Sequence, residues 1–227
     1  GNRIKEVLAT ENTIVDAAEP LTPDFHSQNM IQFDHVDFRY TPDSGLALQD
    51  ITFQLKRKTV LGIIGPTGSG KTTLTQLIPR FYDVSAGAIS FDEVDVRSWD
   101  LDSLRHQISQ VPQTSVLFTG TIRENLQWGK QEASDEECWE ALRIAQAEDF
   151  VRQLPKGLDT KVMENGKNFS GGQKQRLTIA RALIAKPELL ILDDSLSALD
   201  YQTDLNLRKA LQTSLDSTVI IISQRIR

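Results

Sequence analysis

One glycine-rich segment has the residue types and the spacing that bind phosphate. Residues 65–72 read Gly-Pro-Thr-Gly-Ser-Gly-Lys-Thr, which fits the pattern G-x-x-x-x-G-K-[ST], and they stand between an apolar run and a helical pattern, as a phosphate loop requires. In such a loop the backbone N–H groups and the helix start surround the phosphates, and the lysine adds a mobile positive charge. The residues predicted to bind a nucleotide are Gly65, Pro66, Thr67, Gly68, Ser69, Gly70, Lys71, Thr72 and Thr73.

A phosphate loop works with a metal ion, and the metal needs oxygen ligands from the protein. The Thr72 hydroxyl is the first predicted ligand. The second stands at the end of another apolar run, residues 189–192, which Asp193 follows directly. Because a carboxylate at the end of a buried strand is typical of a Mg²⁺ ligand in proteins with this loop, Asp193 is predicted to bind Mg²⁺ directly or through water.

A pair of glycines, Gly171 and Gly172, follows Ser170 at a predicted helix start. Ser170 and Gln173 have the spacing of a capping box, which explains those two residues structurally. The glycines need another reason, because each costs about 1 kcal/mol relative to alanine inside a helix. Glycines at a helix N-terminus favour close approach of an anion to the backbone, so the segment 170–173 predicts a second phosphate contact.

Strand and helix patterns alternate through most of the chain, which predicts an α/β fold with a parallel, doubly wound core. Val60–Ile64 is a continuous apolar run, typical of a strand buried on both faces. Cys138 falls on the apolar face of a helix that begins with a capping box formed by Ser134 and Glu137, so it is predicted to pack in the core. The predicted strands are 31–40, 51–55, 60–64, 108–111, 189–192 and 219–222, and the predicted helices are 70–78, 101–107, 134–146 and 171–185.

Composition narrows the classes of function. The chain has 227 residues and a formal net charge of −6, which disfavours nucleic acid or an anionic membrane surface as its main partner. Its apolar runs are far shorter than the roughly 20 residues that a membrane-spanning helix needs. The amino terminus shows no secretory signal pattern, and the single cysteine cannot form an internal disulfide. We therefore expect a reducing compartment and no nucleic acid partner.

The order of these motifs resembles the ATP-binding cassette (ABC) family, whose signature is a Ser-Gly-Gly-Gln loop ahead of the strand that ends in the metal-binding aspartate. The resemblance extends from about residue 31 to the end of the sequence. It implies a RecA-like P-loop NTPase core with a parallel sheet, an N-terminal antiparallel β part and an inserted helical subdomain at about 114–185. It also implies an ATPase whose cofactors are ATP and Mg²⁺.

Further residues match the family pattern one by one. Tyr40 resembles the aromatic residue that stacks on adenine, and Gln113 resembles the glutamine that reaches Mg²⁺ and the attacking water. Asp200, in the segment 197–200, resembles the last residue of a loop that crosses the dimer interface. Two domains of this family close face to face, so the residues implied to bind the partner's ATP are Ser170, Gly171, Gly172 and Gln173.

Two positions depart from the family. Asp194 stands where a catalytic glutamate is expected after Asp193, and Gln224 stands where a histidine contacts the terminal phosphate. The aspartate is one methylene shorter, and a misplacement of about 1 Å can cost roughly 100-fold in rate. Glutamine cannot hold or transfer a proton as histidine does. With Asp194, Gln224 and Gln113 as catalytic candidates, the chain's own site is predicted to bind ATP and to hydrolyse it poorly.

Other segments resemble ABC exporters. Residues 116–126 and 162–168 are similar to the exporter segments around the glutamine loop and the signature, although Met163 and Asn165 differ from the usual glycine and arginine. The lead-in residues are similar to the linker that follows the last membrane helix of an exporter. The resemblance therefore implies that the domain powers the export of a solute across a membrane.

The resemblance also implies a domain organisation and partners. Residues 1–30 are expected to be a linker from an upstream transmembrane domain on the same polypeptide. Residues 31–227 are expected to be the nucleotide-binding domain, without its C-terminal end. An intact signature beside a degenerate site implies a heterodimer with a second ABC half-transporter, at the cytoplasmic face of the cell membrane.

Several alternatives stay open at this point. One is a homodimeric exporter in which Asp194 is a sufficient base, and another is a nucleotide-binding regulatory module without turnover. A soluble ABC ATPase that acts on DNA or ribosomes, or the separate ATPase subunit of an importer, is disfavoured by the acidic composition and by the exporter-like segments.

Overall fold

The computed structural model describes residues 14–21, 26–65 and 70–224, with the side chain of Thr72 outside the description. Much of the predicted linker, residues 66–69 of the phosphate loop and the last three residues therefore fall outside the described part of the chain. The chain divides into two compact units, Gly1–Thr59 with Gly65–Ile108, and Val60–Ile64 with Ser109–Arg227. Each unit has a four-stranded sheet.

Strands and helices alternate through the described residues as the sequence predicted. In chain order they are β1 (Asn29–Phe38), β2 (Leu48–Lys56), β3 (Val60–Ile64), α1 (Lys71–Leu77), β4 (Ala86–Phe91), β5 (Val94–Asp95), α2 (Leu101–His106), β6 (Ile108–Val111), β7 (Gly120–Thr121), α3 (Ile122–Gln127), α4 (Asp135–Ile144), α5 (Glu148–Gln153), β8 (Lys161–Val162), α6 (Gly171–Ile184), β9 (Leu189–Asp193), α7 (Tyr201–Ser214) and β10 (Thr218–Ser223), with 3₁₀ turns at Gly157–Asp159 and Glu164–Gly166. Within the described ranges, every helix is too short or too polar to cross a lipid bilayer.

The first unit is built on an antiparallel sheet in the order β2-β1-β4-β5, which confirms the expected antiparallel part. The Phe33 ring of β1 is fully buried and stacks on Phe53 of β2, with 4.6 Å between the ring centroids. The Trp99 indole N–H donates a hydrogen bond to the Phe91 carbonyl oxygen at 2.9 Å. Because burying a large apolar side chain contributes about 1.5–3 kcal/mol, these aromatic residues give the unit a core of its own.

The second unit is built on a sheet in the order β3-β10-β9-β6, in which β3 and β9 run parallel to β10. Helices α3 to α7 contribute to one apolar cluster with β9 and β10, represented by Leu142, Leu177, Leu207 and Ile221. This confirms the predicted α/β fold with a parallel sheet. The carboxyl ends of adjacent parallel strands meet at one edge of a sheet, where ligands of such folds bind, so the residues that follow β9 and β10 lie close together.

The prediction that Val60–Ile64 is buried on both faces is wrong. β3 lies at the edge of the described sheet, and Ile64 is 56% exposed. The strands buried on both faces are β9 and β10. All three segments are continuous apolar runs, so the pattern identifies a strand but not its neighbours.

Helix α7 was missed by the sequence reasoning, together with β4, β5, β7, β8, α3 and α5. Its first turn is polar, and Asp200 was interpreted only as part of an interface loop. In the structure Asp200 is the N-cap of α7, and Leu207 and Leu211 are buried at a spacing of four residues. Residues four positions apart lie on the same face of a helix. The two leucines therefore indicated a helix, although most of the residues around them are polar.

The predicted helix at 134–146 is confirmed as α4. Ser134 and Glu137 form a capping box in which each side chain accepts a hydrogen bond from the other residue's backbone N–H. Cys138 is buried in the core, as predicted. Burial raises the pKa of the Cys138 thiol, which disfavours the reactive thiolate.

Gly129, which follows α3, is a glycine whose replacement we expect to destabilise the fold. A Cβ there would lie 2.0 Å from the Arg181 carbonyl oxygen and 2.6 Å from Ile184 Cγ2 of α6. Because backbone has to move to relieve this overlap, Gly129→Ala should lower the free energy of unfolding by about 3 kcal/mol. The urea midpoint measures the effect. Gly45→Ala is the control, since nothing lies within 4 Å of its Cβ, and equal midpoints for both variants would contradict the prediction.

Candidate functional site

The described end of the phosphate loop joins the start of α1. Gly70 is the N-cap of this helix with a φ of 90°, a conformation that glycine adopts without strain. A Cβ at Gly70 would also lie 2.9 Å from Leu48 Cδ2. Lys71 is buried, and its ammonium group donates a hydrogen bond to the Gly65 carbonyl oxygen. This hydrogen bond therefore joins the first residue of the loop, Gly65, to Lys71 at its other end.

The donor groups at this loop fit a polyphosphate. An ammonium group and the N–H groups of a helix start both attract anions. Among the described residues, no side chain caps the N-terminus of α1. Burial of Lys71 reduces the screening of its charge by salt. The predicted contacts of residues 66–69 and of the Thr72 hydroxyl lie outside the described atoms and stay predictions.

Tyr40 lies beside the same helix. Its hydroxyl group is 2.8 Å from Thr73 Oγ1 and donates a hydrogen bond to Gln76 Oε1 at 3.1 Å. The edges of its ring meet the rings of Phe38 and Tyr82, with centroids 4.9 and 5.4 Å away. The ring is thus held rigidly and is 42% exposed, which leaves aromatic surface near the phosphate loop.

The second unit brings together acidic and amide side chains at the carboxyl ends of β9 and β10. Asp193 is the last residue of β9. Asp194 follows it with a left-handed φ of 54°, and its N–H donates a hydrogen bond to the Ile222 carbonyl oxygen at 2.9 Å. The Gln224 side-chain amide donates to Asp194 Oδ2 at 3.4 Å. The two residues that depart from the family pattern therefore contact each other.

A cavity of about 230 Å³ lies at this edge of the sheet. Its lining includes Gln113, Asp194 and Gln224, so the three catalytic candidates predicted from the sequence share one small space. Carboxylate and amide oxygens are suitable ligands for Mg²⁺ in proteins that also bind phosphate. The chemistry of this edge therefore fits a metal-bound phosphate group, and the role of Asp193 as the carboxylate ligand stays a prediction.

The glycine-bearing helix start is the N-terminus of α6. The Ser170 hydroxyl accepts the N–H of Gln173 at 3.1 Å, and the Gln173 side chain accepts the N–H of Ser170 at 2.9 Å, so the predicted capping box is confirmed. A Cβ on Gly172 would lie 3.0 Å from the Ala198 carbonyl oxygen, whereas one on Gly171 would meet Ala198 Cβ at 3.6 Å. Close packing thus explains Gly172, and the space at Gly171 leaves its backbone open to a ligand.

The sequence model of the ABC transporter family matches residues 48–197 of this chain. The chain belongs to the ABC transporter family. The match contains most of the predicted site, and the predicted residues that lie outside it are Tyr40, Asp200 and Gln224.

Relatives of the ABC domain agree with this placement. Over 226 residues the chain is 47% identical to the ABC transporter ATP-binding protein YfiB of Bacillus subtilis. This match covers 100% of the chain and 39% of YfiB. Over 226 residues it is 42% identical to YheI of the same bacterium, a probable multidrug resistance ABC transporter ATP-binding/permease protein. This match covers 99% of the chain and 38% of YheI. The chain thus spans well under half the length of these relatives.

A solved structure supports the fold of the ABC domain. A bacterial Atm1-family ABC exporter with ATP bound matches with a TM-score of 0.84 and 34% sequence identity. The match covers 98% of this chain and 39% of that exporter chain. The domain therefore has the fold of the nucleotide-binding part of ABC exporters, in a family of ATPases.

Gln175 of the ABC domain was missed by the sequence reasoning. Its side chain is 4% exposed, donates to Ser197 Oγ at 3.1 Å and accepts the Ala198 N–H at 2.9 Å. One buried amide therefore fastens the segment 197–200 to α6. The sequence does place Gln175 four positions before Ile179, on the apolar face of the helix. A polar residue at such a position indicates a buried hydrogen-bonding role.

Asp200 is the N-cap of α7, and the first turns of this helix contribute residues to the cavity that Asp194 lines. The Asp200 carboxylate accepts the N–H of Thr203 at 2.8 Å, and this bond lowers the pKa of Asp200; its contact with a partner domain stays a prediction. Asp204 is 2% exposed and accepts a hydrogen bond from Arg208 Nε at 2.5 Å. Arg208 lines the same cavity as Asp194, a positive charge that the sequence motifs did not indicate.

Proposed function

We propose that this ABC domain powers the export of a solute by binding and hydrolysing ATP in a closed dimer. The observation that carries the proposal is that one chain has both a lysine-bearing phosphate loop before α1 and a glycine-bearing helix start at α6. A phosphate loop covers one side of a nucleotide, and the second helix start needs a nucleotide to contact. Two such domains meet both needs when each phosphate loop faces the partner's α6.

The proposed role of each residue in binding the nucleotide follows from the chemistry of its side chain. Tyr40 stacks on the adenine, and the loop residues 65–73, with Lys71, bind the phosphates. Asp193, together with Thr72 and Gln113, holds Mg²⁺. When bound, Mg²⁺ neutralises charge that develops on the phosphates during transfer.

The chain's own site is proposed to hydrolyse ATP poorly. Asp194 is the candidate base for the attacking water, but its carboxylate is one methylene shorter than that of glutamate. It also accepts a hydrogen bond from the Gln224 side-chain amide, so one of its carboxylate oxygens already has a neighbour in the protein. Gln224 can donate to the terminal phosphate but brings no positive charge to it. The site therefore retains its binding groups and lacks an effective base.

The α6 start is proposed to serve the nucleotide of a partner domain. Ser170, Gly171 and Gln173 keep the geometry of a capped helix with an open first turn, so this half of the partner's site is intact. An impaired own site beside an intact contribution to the other site favours a heterodimer with a second ABC half-transporter.

A transmembrane part is proposed to pack on an exposed apolar patch of the second unit. The patch consists of Val116, Phe118 and Trp128, and Trp128 is 69% exposed. Arg181 lies over the Phe118 ring with its guanidinium carbon 5.2 Å from the ring centroid, within the roughly 6 Å of a cation–π contact. Exposed patches of large apolar side chains mark interaction sites, and the relative YheI is an ATP-binding/permease protein.

The proposal includes the expected domain organisation. Residues 1–30 link the domain to a transmembrane domain upstream, residues 31–227 form the nucleotide-binding domain, and about 114–185 form its helical subdomain. The ABC domain then works at the cytoplasmic face of the membrane that holds the transporter.

Gly171→Asp tests the role of the α6 start. A negative charge in the first turn suits the helix itself, and a Cβ at Gly171 has room beside Ala198, so the fold should be kept. The same charge repels a phosphate group at this place. In the native assembly, isolated through a tag on this protein, we expect ATP hydrolysis to fall roughly 100-fold.

Gly171→Ala is the matched control, because it adds the Cβ without the charge and should retain most of the hydrolysis. Binding of ATP to this chain's own phosphate loop should be equal in both variants. Full hydrolysis by the Gly171→Asp assembly would contradict the proposed contact with the partner's nucleotide.

A further inference from the structure

Tyr40 lies in a segment of the first unit where no strand or helix fixes the position of its side chain. β1 ends at Phe38 and β2 begins at Leu48, and residues 39–47 between them are irregular. The Ala47 N–H donates a hydrogen bond to the Phe38 carbonyl oxygen at 2.7 Å, which closes the segment into a loop. The position of the Tyr40 ring therefore depends on the contacts that its side chain makes.

Two aromatic neighbours hold the ring of Tyr40. The planes of the Phe38 and Tyr82 rings stand at 79° and 87° to it. Edge-to-face pairs with centroids 4.5–7 Å apart are attractive, and both pairs lie in this range. These are contacts between carbon surfaces, so they set the distance between the rings more than the direction of the Tyr40 hydroxyl group.

Helix α1 fixes the hydroxyl group. A tyrosine hydroxyl has one proton, and that of Tyr40 is donated to Gln76 Oε1. In the 2.8 Å contact between the two hydroxyl oxygens, Thr73 is therefore the donor. Thr73 and Gln76 are three positions apart, so they lie on the same face of α1. Two hydrogen bonds thus fasten the ring to the helix that begins at the phosphate loop.

The two partners of the Tyr40 hydroxyl differ in what else they must do. Thr73 is itself one of the residues predicted to bind the nucleotide, and its single proton cannot be donated to a phosphate and to Tyr40 at once. Gln76 has no predicted contact with the nucleotide. It is six residues beyond Gly70, or about 9 Å along the helix axis. Gln76 can therefore accept the Tyr40 proton whether or not a phosphate engages Thr73.

We propose that Gln76 is a positioning residue for the adenine base. By accepting the Tyr40 proton it holds the aromatic ring at a fixed distance from the phosphate loop, so that one helix sets the separation between the base site and the phosphate site. The inference rests on the proposed stacking of Tyr40 on adenine. Gln76 then contributes to the affinity for a nucleotide and not to the affinity for a phosphate chain without a base.

Two substitutions at Gln76 test this role. Gln76→Met removes the acceptor from a side chain of similar length, and Gln76→Glu keeps an acceptor oxygen. The three residue types have similar helix propensities, so α1 should form in both variants. The dissociation constants of ATP and of inorganic tripolyphosphate are measured on the full-length protein by displacement of a fluorescent ATP analogue.

Gln76→Met is expected to raise the dissociation constant of ATP about three- to tenfold, the range of one neutral hydrogen bond, and to leave that of tripolyphosphate within twofold. Gln76→Glu should keep the ratio of the two constants, because its added charge acts on both ligands alike. Gln54→Met, at an exposed position of β2, is the control and should change neither constant. Equal weakening of both ligands by Gln76→Met would show a structural role in α1 and overturn the proposal.

A second arm of the experiment uses Tyr40→Phe, which keeps the ring and removes the hydroxyl group. It should weaken ATP binding at least as much as Gln76→Met does. Adding Gln76→Met to Tyr40→Phe should then weaken ATP binding no further, because the two residues act through one hydrogen bond. A further loss in the double variant would mean that Gln76 acts on the nucleotide without Tyr40, which would contradict the positioning role.

Tyr40→Ala separates this inference from the proposed stacking. Stacking of a base on an aromatic side chain predicts that this variant binds ATP roughly 5- to 100-fold more weakly. Unchanged ATP affinity in Tyr40→Ala would overturn the stacking and the role of Gln76 together. Weakened binding in Tyr40→Ala with unchanged binding in Gln76→Met would overturn the role of Gln76 alone.

Discussion

Lys71→Ala is expected to lower the affinity of this protein for ATP at least 100-fold. The lysine is 7% exposed, and its ammonium group lies at the phosphate loop next to Gly65. Hydrogen bonds from a charged donor contribute about 1.5–3 kcal/mol each, and an ammonium group that serves two phosphates makes at least two of them. Titration of the full-length protein with a fluorescent ATP analogue measures the change.

Lys56→Ala is the control for Lys71→Ala. It removes the same charge from an exposed position at the end of β2 and should leave the affinity unchanged. Circular dichroism and the urea midpoint report whether Lys71→Ala is folded. A folded Lys71→Ala protein with the affinity of the unmodified protein would contradict the assignment of residues 65–73 as the phosphate loop.

Asp194→Glu combined with Gln224→His is expected to raise ATP hydrolysis at this chain's own site about 10- to 100-fold. Glutamate extends the carboxylate toward the attacking water, and histidine brings a group that can carry a proton. The two side chains contact each other at 3.4 Å, so their effects should not be additive. Each single variant should give only a small part of the gain.

The measurement is single-turnover hydrolysis in the native assembly, with the Gly171→Asp substitution present to silence the partner's site. Adding Asp193→Asn to the double variant should remove the gain, because it removes the Mg²⁺ ligand and leaves the new base and histidine. Rapid turnover by the unmodified protein with two active sites per dimer would instead support a homodimeric exporter in which Asp194 suffices.

The backbone conformation at Asp194 should make the Asp194→Glu substitution slightly destabilising. Its φ of 54° lies in the left-handed region, where aspartate is several times more frequent than most residues. Asp194→Glu is therefore expected to lower the stability slightly while it raises the rate. A gain in rate with a small loss of stability distinguishes restored chemistry from a general improvement of the fold.

Local patterns predicted those features whose physical cause is local. The capping boxes at Ser134 and Ser170 depend on residues three positions apart, and the helix that follows each was predicted correctly. The phosphate loop could be predicted because its glycines, its lysine and its helix are consecutive in sequence. Helix α7 was missed because its polar first turn lacks a strong pattern, although its N-cap is Asp200.

Local patterns of this kind could not predict contacts between segments that are distant in sequence. The edge position of β3 depends on which strands pair, and a continuous apolar run is compatible with either an edge or a central strand. The buried Gln175 joins α6 to Ser197 through a contact across 22 positions. One cavity of the second unit is likewise lined by Trp139 of α4 and by Leu215, which are more than forty residues apart in sequence.

The amino-acid sequence by itself determined the family and the α/β fold, and it predicted the nucleotide-binding residues, because these depend on short motifs in a required order. It also showed the two departures, Asp194 and Gln224. Only the tertiary structure decided that these two side chains contact each other and that close packing explains Gly172 while Gly171 stays open. These depend on distances between segments that the chain brings together only when it folds, and distances of that kind are not encoded in the spacing of neighbouring residues.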